Sequence, residues 1–262
     1  MTEEFKSNGW NPDRFSKLSQ TLLEIFEDHY QLLQDRLSPD AKILDVGCGE
    51  GVLTEKLQEK FSRVVGVDIS PDMAEGARIR GIQDVRLASA SNLQAAGIAA
   101  NEFDAAFSQY VLNWIADDPR KPLQEIYRCL KPGGLFVTKF CANQCVSSML
   151  TALTAIINTY GEANLPVPIY LPTANEYRVL LEQQGFEIEV VEEKPITIEL
   201  YVTLRQYIDS ACDAFLGDWG DVKKRTEVYN KLENSMKNIN IRNGRFYMNY
   251  SHLNVVARKP QT

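Results

Sequence analysis

Ile43-Leu44-Asp45-Val46-Gly47-Cys48-Gly49-Glu50-Gly51 starts as an apolar run of strand type and breaks into glycines at alternating positions. It gives way to helical spacing at Leu53 and Leu57. Glycine lets the backbone turn tightly at positive φ and leaves room for a ligand against the main chain. A second strand-like run ends in Val67-Asp68, where a carboxylate suits a bidentate grip on two ribose hydroxyls. The pair of features points to a nucleoside cofactor. The dinucleotide fingerprint G-x-G-x-x-G aims helix-start amides at a pyrophosphate. Here the spacing is Gly47-x-Gly49-x-Gly51 with Asp45 two residues ahead. A carboxylate there repels a pyrophosphate and suits an ammonium group.

Working outward, strands are expected over about 42–47, 64–68, 84–88, 103–108 and 134–140, with helices near 16–37, 51–60, 72–80 and 118–130. Ser70-Pro71 reads as an N-cap followed by a first-turn proline, and Pro132-Gly133-Gly134 as a turn before the fifth strand. Strand–helix alternation with near-continuous apolar strands predicts an α/β fold, a doubly wound and mostly parallel seven-stranded sheet with helices on both faces. Beyond the fifth strand, helices are expected over about 149–160 and 173–184, the second ending at Gly185. An alternating strand follows at 186–191, and the last strand is expected over Leu253–Ala257, antiparallel between two neighbours. The expected organisation is one domain over 1–262, with a core of about 38–140, 173–196 and 246–259. Insertions of about 141–170 and 197–245 would lie together as a helical cap over the carboxyl ends of the strands.

The 262 residues carry a net charge of −7 and no basic stripe, which argues against nucleic acid as a partner. No apolar run is long enough to span a bilayer, and the acidic, polar start Met1-Thr2-Glu3-Glu4 is unlike a signal peptide. A cytoplasmic protein with five free thiols is expected, as a monomer or homodimer, without a membrane partner. No metal is expected: His29 and His252 are the only histidines, and neither H-E-x-x-H nor C-x-x-C occurs. Cys141 and Cys145 form the one close cysteine pair, read as packing near the cofactor.

The motifs occur in a recognisable order: Trp10-Asn11-Pro12-x-x-Phe15, the glycine loop, Val65-Gly66-Val67-Asp68-Ile69-Ser70-Pro71-x-Met73, Phe103-Asp104-x-x-Phe107-Ser108-Gln109-Tyr110-Val111-Leu112-Asn113-Trp114, and Leu130-Lys131-Pro132-Gly133-Gly134. Together they resemble the small-molecule branch of class I S-adenosylmethionine (SAM) methyltransferases, of the trans-aconitate and malonyl-carrier-protein methyltransferase type. The resemblance is strong over about 40–140 and absent over 197–245. It implies SAM as cofactor and a small-molecule substrate. Asp45, Gly47, Cys48 and Gly49 would hold the methionine part. Asp68 would bind the ribose hydroxyls, and Ile69 and Met73 would flank the adenine. Ala90 would offer its amide to an adenine nitrogen. Gln109 and Leu112 would lie beside the sulfonium, and Trp10 to Arg14 would fold over the methionine carboxylate.

Two departures from the family pattern stand out. The aspartate that often precedes the alanine is Ser89 here, or Ser91 on a shifted alignment, so a hydroxyl must accept the adenine amine. The position before Trp114, often histidine, is Asn113, and an amide cannot serve as a general base. Asn113 and Trp114, after the fourth strand at its carboxyl end, are the candidate catalytic residues, because open parallel sheets bind ligands there. Without a histidine in any motif, the expected acceptor is an oxygen that needs no deprotonation, a carboxylate. The alternatives are N- or C-methylation, a carrier-protein-bound acyl acceptor, and a SAM-binding protein without turnover.

Overall fold

The structure is a computed structural model, in which residues 19–261 are described. Among them the chain runs α1 (Ser19–Arg36), β1 (Lys42–Val46), α2 (Val52–Gln58), β2 (Arg63–Asp68), α3 (Pro71–Ile79), β3 (Val85–Leu87) and β4 (Phe103–Gln109). It continues through α4 (Arg120–Cys129), β5 (Leu130–Cys141), α5 (Ser147–Asn158), α6 (Ala174–Gln184), β6 (Glu187–Leu200), α7 (Leu204–Leu216), α8 (Val222–Asn240), β7 (Ile241–Arg242) and β8 (Arg245–Arg258). Trp10 and Arg14, expected at the cofactor, lie outside the described residues.

The sheet order is β3-β2-β1-β4-β5-β8-β6, the expected seven-strand path, with the two-residue β7 added against β8. Strands β1 to β5 are parallel, and β8 runs antiparallel between β5 and β6. One apolar layer joins Phe26, Tyr30 and Leu33 of α1 to Ile43, Phe107 and Val137. These α1 residues recur at three- and four-residue intervals and so share one helix face. The opposite layer packs Ile126 and Leu181 against Leu44, Phe136 and Val255. Short devices set the helix starts. The Ser70 hydroxyl accepts from the Met73 amide, and Thr173 and Glu176 cap α6 reciprocally.

Two expectations need correction. The last two long strands reach well beyond 186–191 and 253–257, and β6 pairs with β8 from Glu187↔Arg258 to Leu200↔Phe246. Pro195 is tolerated because β6 is an edge strand. The segment 197–245, expected to be helical, contains the capped helices α7 and α8. Cys141 and Cys145 are joined as a disulfide with a Cα–Cα distance of 5.4 Å, leaving Cys48, Cys129 and Cys212 free and buried.

Met149 and Leu153 of α5, Ile208 of α7 and Leu232 of α8 share one apolar cluster, against which Tyr110 and Trp114 pack from the end of β4. The two inserted segments therefore meet each other beside the carboxyl end of β4. Among the described residues, no helix is long and apolar enough to cross a membrane, and no group of His, Cys, Asp and Glu is placed to hold a metal.

Candidate active site

The carboxyl ends of β3, β2, β1 and β4 lie side by side, and the predicted residues leave the sheet there. Two amides tie the β1 loop down: Gly47 N and Cys48 N both donate to the Val67 carbonyl, at 2.7 and 3.0 Å. Gly47, Gly49 and Gly51 have φ of 77°, 56° and 86°, a region that favours glycine. The three differ in what surrounds them. A β-carbon on Gly47 would come within 2.1 Å of Val111 Cγ2, and one on Gly51 within 2.9 Å of Ile82. A β-carbon on Gly49 would meet nothing within 4 Å among the described residues. The middle of the loop thus faces open space, as a backbone that receives a ligand must.

Asp68 joins this loop to the next. Its Oδ2 accepts from Gly49 N at 2.9 Å and its Oδ1 from Ser70 N at 2.8 Å. Desolvation raises its pKa, opposed by those backbone hydrogen bonds. An ionised carboxylate has about four acceptor positions, so lone pairs remain for a diol. Ile69 is exposed beside it, and Met73 is buried under the start of α3. After β3, Ala88 N donates to the Asp68 carbonyl at 3.0 Å. The loop that follows carries Ser89, Ala90 and Ser91, with Ser91 N donating to Ser89 Oγ at 3.1 Å. The Ser89 hydroxyl is thus already engaged locally, while Ala90 packs in the same apolar cluster as Leu112.

Asp45 is buried beneath the loop, where its Oδ2 accepts the Thr54 hydroxyl at 2.6 Å. Burial lifts its pKa to about 7 against the pull of the Thr54 bond, and the nearby Asp68 charge lifts it further. Cys48 is also buried, and its thiol is pushed well above the ordinary range, chiefly by desolvation. It acts as a packing group: a β-carbon at Gly66 would stand 2.9 Å from its sulfur.

Gln109, Leu112 and Asn113 follow in the β4 exit, all buried. Asn113 carries a buried Oδ1 with no hydrogen-bond partner among the described residues, and its carbonyl accepts from Tyr170 N at 2.8 Å. Trp114 turns the other way, against Phe215 of α7 with ring centroids 5.1 Å apart. It is part of the contact with the inserted helices.

The motif reading missed a contact beside these residues. Tyr110, with φ of 55°, hydrogen-bonds His252 Nε2 of β8 at 2.5 Å. The two rings meet edge-on at 5.5 Å, and Tyr250 packs against both. No local signal could place His252 here, because 142 residues separate it from its partner. Only the antiparallel register of β8 on β5, Cys141↔His252, brings it to the end of β4. Desolvation lowers the His252 pKa to about 4, and burial raises that of Tyr110 well above the usual phenol range. Both are neutral near pH 7.

Residues 44–138 match the family described as methyltransferase domain. The chain is 31% identical over 233 residues to an uncharacterized methyltransferase of Schizosaccharomyces pombe, covering 85% of this chain and 88% of that one. It is 29% identical over 187 residues to the trans-aconitate 2-methyltransferase of Deinococcus radiodurans, covering 67% and 69%. Among solved structures, a putative methyltransferase from Bacillus halodurans superposes with a TM-score of 0.60 at 17% identity, covering 89% of this chain and 98% of that one.

Proposed function

From the premise that the chain belongs to the class I SAM-dependent methyltransferases, we propose that it methylates a carboxylate oxygen of a small organic acid. The methyltransferase activity and the SAM cofactor follow from the family. The acceptor is our reading. One observation carries it: Tyr110 and His252, hydrogen-bonded to each other at the β4 exit, are a buried phenol pushed well above its usual range and a buried imidazole whose pKa of about 4 makes it a weak base. Neither is poised to take a proton from an amine or a phenol, whereas a carboxylate arrives ionised. Similarity to a protein named trans-aconitate 2-methyltransferase supports the same class of acceptor.

When bound, SAM supplies an electrophilic methyl group on a sulfonium. The protein's part is then placement and the exclusion of water. In this reading the open face at Gly49 and the free lone pairs of Asp68 receive the nucleoside and methionine parts. Ile69, Met73 and the Ser89–Ser91 loop border the adenine. Gln109 and Leu112 border the reacting end, and Asn113, with its amide turned over, orients the acceptor carboxylate by donating from its NH2 group. We also read the chain as one domain, in which segments 141–170 and 197–245 cap the acceptor side.

The test uses SAM labelled in its methyl group with a panel of small carboxylic acids. Methyl esters release volatile label in mild alkali, and this is the expected product. Label that stays fixed through alkali would mark an ether, N- or C-methyl product and defeat the carboxylate reading while leaving methyl transfer in place.

A further inference from the structure

Lys139 lies near the carboxyl end of β5, in register with Gln109 of β4 on one side and Asn254 of β8 on the other. Strand alternation turns it toward α1. There its Nζ stands 2.6 Å from both Asp28 Oδ1 and the Ile25 carbonyl. The ion pair is lopsided, because the lysine side chain is 5% exposed and the aspartate side chain 57%. A buried ammonium left without a counter-ion is strongly destabilising. A solvent-side carboxylate loses little when it swings back into water. The anion is therefore the exchangeable half of the pair.

Around the pair lies a cleft of about 510 Å³ between α1 and the sheet, with Ile25, Asp28, Lys139, Ile196 and His252 among its walls. That volume suits a small molecule. Two links connect it to the β4 exit: Tyr110 N donates to the Lys139 carbonyl at 2.9 Å, and the Tyr110 hydroxyl meets His252. Asn254, beside Lys139 on the same sheet face, is buried and its Oδ1 has no hydrogen-bond partner among the described residues. That amide can turn its NH2 group toward an anion. Glu24 and Glu27 also line the cleft, but both are exposed, so water and salt screen them as they cannot screen Lys139.

We propose that Lys139 receives the carboxylate of a small ligand held in this cleft, and that Asp28 is the built-in counter-ion which the ligand displaces. That the ligand is an organic acid rests on the reading above. The acid is anchored within reach of the residues that follow β4.

A purely structural Asp28–Lys139 clamp behaves differently from an exchangeable one. Calorimetry of trans-aconitate against the full chain loaded with S-adenosylhomocysteine separates the two, with the neutral trimethyl ester as control. The acid should bind and the ester should not. Lys139→Met should weaken the acid at least tenfold. Asp28→Asn should strengthen it several-fold while lowering Tm, because it removes the competing anion and a stabilising contact together. S-adenosylhomocysteine affinity, measured on each preparation, reports whether the variant is folded. Asp28→Asn, at an exposed position, keeps the test decisive if Lys139→Met fails to fold. No binding of the acid, equal binding of the ester, indifference to Lys139→Met, or weakening by Asp28→Asn would each overturn the proposal. Alkali-stable methyl products alongside Lys139-dependent binding would instead defeat the carboxylate reading and leave this site standing.

Discussion

The Tyr110 hydroxyl and His252 Nε2, 2.5 Å apart, join the end of a parallel strand to the antiparallel strand that follows α8 and β7. Tyr110 holds a left-handed backbone, with φ of 55°. Non-glycine residues persist in that region only where their surroundings enforce it. Here the enforcing contacts are the Lys139 carbonyl, which accepts from its amide, and His252, which fixes its ring.

Acid should therefore destabilise the fold through buried imidazoles. Burial lowers the folded pKa of His252 to about 4 and that of His29 to about 3, from an ordinary value of 6.5. A base with a depressed folded pKa contributes stability that is fully present above 6.5, declines as pH falls below it, and is gone once pH passes the folded value. Thermal melts should show Tm falling between pH 6.5 and 4. His252→Gln, which keeps a hydrogen-bonding group beside Tyr110, should flatten part of that slope. An unchanged slope in the variant would show that His252 titrates normally.

Asp45 has the opposite sign. Its folded pKa is raised to about 7, mainly by burial, from 3.8. The ligand-free protein thus holds a proton that the unfolded chain has lost, and stability falls as pH rises from about 4 to 7. Asp45→Asn should raise the Tm of the ligand-free protein at pH 8; a gain of 1 kcal/mol appears as about 2–4 °C in a chain of this size. The same change should weaken SAM, whose ammonium and sulfonium both favour an ionised carboxylate nearby. Wild-type affinity for SAM should rise between pH 6 and 8, and the variant should lose that rise. Calorimetry across this range checks both statements.

The glycine loop, the Ser70-Pro71 helix start and the strand tip at Asp68 were legible because each is a local device, fixed within a few residues by φ preferences and capping. Asp45 stands at the end of β1 ahead of the glycine loop, but its burial and its bond to Thr54 depend on packing that spacing does not report. Residues 192–200 hid their strand because Glu192-Glu193-Lys194-Pro195 reads as a break, and only long pairing with β8 overrides it. His252 and the pairing of Lys139 with Asp28 were opaque for the same reason. Each takes its meaning from a partner more than a hundred residues away, supplied by sheet register or by α1.

Gly47 and Gly49 should separate folding from binding. A β-carbon at Gly47 collides with Val111, so Gly47→Ala should destabilise the protein outright, by about 1–3 kcal/mol for combined overpacking and left-handed strain. At Gly49 the space is open and only the left-handed backbone, φ 56°, opposes alanine, at a cost of about 1 kcal/mol. Gly49→Ala should stay folded and lose S-adenosylhomocysteine affinity by tenfold or more, because the new methyl group occupies the space a ligand needs. Paired melts and titrations of the two variants check this. A Gly49→Ala protein that binds normally would remove the loop's centre from the cofactor site.

Asn113 should matter for turnover far more than for folding. Its backbone carbonyl holds Tyr170 N, a bond that survives any side-chain change, and its Oδ1 is buried with no partner to lose. Removing an unsatisfied amide is close to neutral for stability, so Asn113→Ala should melt within a few degrees of the wild type. If the amide orients an already ionised acceptor, kcat/KM should fall by roughly tenfold or less, since loss of a general base costs on the order of a hundredfold or more. Between about pH 6.5 and 8.5 the rate at saturating SAM should stay nearly flat, because burial pushes Tyr110 up and His252 down, out of that window. Asn113→His should bring no large gain. A rate that climbs steeply with pH, with a thousandfold loss in a tyrosine or glutamate variant of α7 or α8, would place a working base on those helices and replace the carboxylate with an acceptor that must lose a proton.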